Sequence, residues 1–162
     1  MGEQQRYQVR FDWGIGGAAA IAADADVLVW VDALGPAPAP LDELPAAPAV
    51  VETGLAGAVA TAQWILETQE ARQRRTMVAL VAAGVDRGGG LRFAAEDLLA
   101  AGAVADALES RGIDAMSPEA AVADAAFRML GRAASSLFAA VVGSGEANPA
   151  GPVVRRPHPE LG

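Results

Sequence analysis

The sequence predicts an α/β fold: a single domain built on a mostly parallel sheet with helices on both faces. Three observations lead there. Two strand-length apolar runs, 26–32 (DVLVWVD) and 76–82 (TMVALVA), have the composition of strands buried on both faces. Helical patterns alternate with the strand-like runs along the chain. The length of 162 residues, with 52% hydrophobic and 20% charged residues, suits one domain with ample core material.

Residues 7–11 (YQVRF) alternate apolar and polar and read as a short strand that ends at Asp12, Trp13 and Gly14. Residues 15–23 are alanine-rich and read as a two-turn helix. The run 26–32 is the central strand, bracketed by aspartates. Residues 33–48 (ALGPAPAPLDELPAAP) lack a backbone N–H at each proline and favour polyproline II, so an irregular linker is expected. Residues 49–52 form a short strand. Thr53 then stands where an N-cap hydroxyl is wanted, before a helix over 54–70 with Leu55, Val59, Ala62 and Leu66 at helical spacing. The charged run 69–75 closes that helix. After the strand at 76–82 comes a glycine-rich loop, 83–90 (AGVDRGGG). Residues 91–111 carry the clearest helical pattern, and Gly112 ends it as a C-terminal glycine does. Residues 113–116 read as a short edge strand. Ser117, Pro118 and Glu119 supply the N-cap, first residue and acidic first turn of a last helix, which runs to about 142. The domain therefore spans 1–142, and 143–162 has the composition of a disordered tail.

Composition removes several function classes. A net charge of −8 and a sequence pI of about 4.5 argue against nucleic-acid and anionic-membrane partners, which need a basic footprint. Without cysteine there is no disulfide, thiolate nucleophile or cysteine-ligated metal. The single histidine, His158, lies in the tail, which disfavours a Ser-His-Asp triad. Residues 1–10 are polar, so no signal peptide is expected, and the apolar runs stop short of a membrane span. A soluble, cytoplasmic protein is the expectation, with homo-oligomerisation left open. Alanine makes up roughly a quarter of the chain and all 12 basic residues are arginine, which reads as a bias of genome composition.

In a parallel sheet, functional groups collect at the carboxyl ends of the strands. Here those ends are 12–14, Asp32, Glu52 with Thr53, and the 84–90 loop. Residues 14–19 (GIGGAA), with Asp32 downstream, have the form of a dinucleotide-binding fingerprint. The preferred reading is structural, a glycine-relaxed turn that lets a helix pack closely on the sheet. Asp32 reads equally as a turn residue or as a rigidly held metal ligand or nucleophile. The segment 83–97 combines a glycine-rich loop with Arg87 and Arg92 as anion-binding groups, and Thr53 joins them as a substrate-binding candidate. Glu96 and Asp97 follow, and Glu96 is also placed to pair with Arg92 across one helical turn.

Residues 91–108 (LRFAAEDLLAAGAVADAL) and 117–127 (SPEAAVADAAF) together resemble the 2-phosphosulfolactate phosphatase family. Its members carry a comparable L-R-x-x-x-E-D-L-x-x-A-G-A stretch followed by S-P-E-A. VRFDWG, DVLVWVDAL, GLAGAVATAQWI and TMVALVAAG resemble its other blocks in the same order, so the likeness covers most of 9–127. It implies a Mg²⁺-dependent phosphomonoester hydrolase that converts 2-phosphosulfolactate and water to sulfolactate and phosphate, a step associated with coenzyme M biosynthesis. The substrate is then a small anionic phospho-acid. By this resemblance Asp32, Arg92, Glu96 and Asp97 are the site positions. Asp32 and Glu96 are the catalytic candidates, and Asp32, Glu96 and Asp97 the Mg²⁺ ligands. The alternative is a catalytically inactive homologue that acts as a binding or assembly protein.

Overall fold

In the computed structural model, which describes residues 4–34, 38–86, 88–142 and 151–157, strands and helices alternate through most of the chain. The order is β1 (Val9–Trp13), α1 (Gly14–Ile21), β2 (Val27–Val31), β3 (Ala49–Thr53), α2 (Ala58–Arg72), β4 (Val78–Ala82), β5 (Val85–Asp86), β6 (Leu91–Arg92), α3 (Ala95–Glu109), α4 (Pro118–Val142) and β7 (Val153–Arg156). Five strands form one sheet in the order β1-β4-β2-β3-β7. The first four are parallel, and β7 is antiparallel to β3. This is the expected α/β fold with a mostly parallel sheet.

Every residue of β2 and β4 is buried, because each strand has neighbours on both edges and cover on both faces. One face carries Val9, Val29, Val31 and Leu80 and packs against residues of α2, α3 and α4, among them Ile65, Val104 and Ala120. The other face carries Leu28, Trp30, Val50 and Val81 and meets Ala18 and Ile21 of α1. Ala39 and Leu44 of the proline-rich linker complete that second layer. The linker is irregular, as its prolines require, yet it does the covering work of a helix.

Small residues let the layers approach. A Cβ at Gly102 of α3 would collide with the Ala123 carbonyl of α4, so the two helix backbones meet directly there. A Cβ at Gly17 would lie 2.8 Å from the Asp12 side chain, which matches the structural reading of the 14–19 glycines. The ends of the last helices follow the sequence. Gly112 takes φ +82° beyond α3, and its N–H donates to Glu109 O at 2.9 Å. Ser117 Oγ accepts the Ala120 N–H at 3.1 Å and caps α4.

Several expectations change. The first strand continues through Asp12 to Trp13, because Phe11 and Trp13 extend its inward alternation. Thr53 is the last residue of β3 and not an N-cap; its hydroxyl donates to Gly54 O at 3.2 Å, and one 3₁₀ turn, Leu55–Gly57, precedes α2. The long helix begins at Ala95 and not at Leu91. Leu91 and Arg92 are extended and pair with Val85 and Asp86, since the Leu91 side chain sits over Gly14 and Gly84. Residues 113–116 form a single bridge, Val9 with Met116, in place of a strand. In the region expected to be a tail, Val153–Arg156 is an edge strand. Arg156 Nε donates to Pro48 O at 3.0 Å, and Arg155 pairs with Glu52 at 2.7 Å. Arg87, His158 and the remaining tail residues, 143–150 and 158–162, lie outside the described residues. No helix among the described residues is long and apolar enough to cross a membrane.

Candidate functional site

Parallel pairing brings four carboxyl ends to one edge of the sheet. Trp13, Ala82, Val31 and Thr53 stand in register across it. Beyond that row the polar groups begin. Asp97, in the first turn of α3, is 2% exposed and reaches back to the edge. Its Oδ1 accepts the Ala33 N–H at 2.8 Å and its Oδ2 accepts the Gly84 N–H at 2.9 Å. One carboxylate therefore ties the end of β2 to the end of β4. Burial pushes its pKa up from 3.8 to about 6; the Ala33 N–H pulls it down, the Asp32 charge pushes it up, and Gly84 and Glu96 add smaller opposing effects.

Asp32 lies half-buried at the same edge. Its Oδ1 accepts the Leu34 N–H at 3.2 Å, and its own N–H donates to Thr53 O at 3.1 Å. Its charge is felt by Asp97. Thr53 itself is buried, with its hydroxyl proton directed to a backbone carbonyl, so it offers little to a substrate. Arg92 and Glu96 face each other at 3.7 Å, too long for a hydrogen bond. The Arg92 Nε–H is buried and has no hydrogen-bond partner among the described residues, while 39% of the side chain is open to solvent. The glycine-rich loop folds as the β5–β6 hairpin, whose turn uses positive φ at Gly88 and Gly89. The glycines thus stand apart from the α3 N-terminus that the sequence placed beside them.

The expected Mg²⁺ donor set can be tested against these positions. Both Asp97 oxygens already accept backbone N–H groups. Among the described residues, the three carboxylates with oxygens within 4.8 Å of one another are Asp106, Glu109 and Asp124, and not Asp32, Glu96 and Asp97. In that other cluster the Arg128 guanidinium sits between the acids. Its Nε lies 3.0 Å from both Asp106 and Asp124, and its Nη2 pairs with Glu109. The cluster is an ion-pair network that joins α3 to α4. The three-carboxylate Mg²⁺ site does not fit the edge as it stands.

No protein-family model and no curated protein matches the chain.

The sequence nominated Asp97 as a ligand and missed its bonds to the two strand ends. The partners lie 64 and 13 residues away, so no local pattern announces them. It also passed over the aromatic group of Phe11, Trp13 and Phe93. The only signal was the two-residue spacing that puts Phe11 and Trp13 on one side of a strand.

Proposed function

We propose that the carboxyl edge of the sheet is the site of a phosphomonoester hydrolase for a small anionic phospho-acid, with 2-phosphosulfolactate the first candidate. The observation that carries this reading is Arg92, a cation beside the acidic edge whose buried Nε–H has no hydrogen-bond partner among the described residues. Buried donors are nearly always satisfied, and an anion oxygen is the natural partner of a guanidinium. In this reading Arg92 neutralises the phosphate oxygens. The Asp32 carboxylate takes a proton from the water that attacks phosphorus. As the P–O bond breaks, the departing alkoxide oxygen takes a proton from solvent, and Glu96, 3.7 Å from Arg92, orients the guanidinium. Asp97 is a positioning residue, because it holds the ends of β2 and β4 on which Asp32 depends.

A second reading is favoured by the same Asp97 bonds and by the dispersed carboxylates: the edge binds the phospho-acid and does not turn it over. Phosphate release separates the two. The full chain is assayed over small phospho-acids, 2-phosphosulfolactate included, with and without Mg²⁺. Release that falls by orders of magnitude in Asp32→Asn, together with a raised KM in Arg92→Ala, supports the hydrolase. No release from any phospho-acid overturns it.

A further inference from the structure

We propose that a cleft at the outer edge of β1 binds a small organic cation with an apolar body, such as an arylalkylammonium ion. The cleft has a volume of about 470 Å³ and lies between β1, the segment before α3 and the start of α4. That size suits a small ligand. Its aromatic wall is a stack of Trp13 and Phe93, with ring centroids 4.8 Å apart and planes at 25°. Phe11 meets Trp13 edge-on at 5.6 Å and holds the indole in place. Phe93 is 65% exposed, and Val122 across the cleft is 64% exposed. An exposed ring stacked on a tryptophan beside an exposed valine is an apolar surface on which a ligand can bury itself.

Charge sets the sign of the ligand. Among the described residues that line the cleft, the charged group on the side of the rings is the acidic Glu119; Asp12 alternates to the opposite face of β1, with its side chain against Gly17. The ring faces carry negative potential of their own, so they attract a cation and repel an anion. A sulfonate or phosphate group is therefore disfavoured here. This places the cleft's ligand in a different chemical class from the anion proposed for Arg92, and the inference does not depend on the hydrolase reading.

The test uses the full chain and three probes of one shape: 2-phenylethylammonium, 2-phenylethanol and phenylacetate. Binding is followed by the NMR shift of the Trp13 indole N–H, assigned with Trp13→Phe. The ammonium is expected to bind about 5-fold more tightly than the alcohol, and phenylacetate more weakly than both. Phe93→Ala and Glu119→Gln change exposed side chains, and their spectra away from the cleft should stay unchanged. Each should weaken ammonium binding by about 3-fold or more. Equal affinity for ammonium and alcohol, an unchanged affinity in Glu119→Gln, or no shift of the Trp13 signal would each overturn the proposal.

Discussion

Asp97 meets two opposed demands. Its burial disfavours charge, while two backbone N–H groups require acceptors. Burial prevails in part, and the folded pKa of about 6 stands above the ordinary 3.8. Between those pH values the folded chain holds a proton that the unfolded chain has lost. The contribution of Asp97 to stability is then fully present below 3.8 and is lost as pH rises through about 6. Thermal melts across that range should show this downward component in the wild type and lack it in Asp97→Ala. At neutral pH the alanine variant also strands the Ala33 and Gly84 N–H groups, a loss of roughly 1–3 kcal/mol in a denaturant titration. Arg10 shows the contrasting case of a buried charge fully engaged. It donates to Tyr7 O, Ile21 O and Gln5 O and pairs with Asp24 at 2.6 Å, which pins the segment before β1 to the end of α1.

At the scale of elements, the crossing of α3 and α4 depends on one missing methyl group. Gly102→Ala must push the Ala123 backbone away, so it should destabilise the protein by about 1–3 kcal/mol, although alanine favours helices. A chemical denaturation midpoint measures it. The edge strand β7 makes a second claim. Its bonds to Pro48, and those of Arg155 and Ala39 to Glu52, bind strand, linker and sheet together. Truncation after Val142 should therefore lower the melting temperature, and an unchanged melt would show that β7 adds nothing. Val27–Val31 and Val78–Ala82 were legible because burial on both faces writes itself into composition. VVRR was not, because four residues of an edge strand leave no such mark among prolines and charges. Leu91 and Arg92 fit a helical pattern, yet contacts with distant Gly14 and Gly84 hold them extended. For the site, Asp32, Arg92, Glu96 and Asp97 could be nominated from position. Their actual partners could not, because those partners are set by tertiary contact.

At the scale of the whole molecule, the described residues give the sheet unequal cover: α2, α3 and α4 on one face, and the short α1 with residues of the linker on the other. Both layers meet on β2 and β4, so the stability of the entire domain passes through those strands. Val29→Asp or Leu80→Asp places an unpaired charge at fully buried positions and should abolish cooperative melting. The same parallel arrangement sends four strand ends to one edge, and there the proposed chemistry depends on an arginine whose Nε–H has no partner within the described residues. The most direct test is a calorimetric titration of 2-phosphosulfolactate into the wild type and into Arg92→Ala, whose melting temperatures should agree. Saturable binding to the wild type, weakened about 10-fold or more in the variant, is the expected result for a charge-assisted guanidinium–phosphate contact. Equal binding by the two proteins, or none by the wild type, would contradict the assignment of Arg92 as the anion anchor.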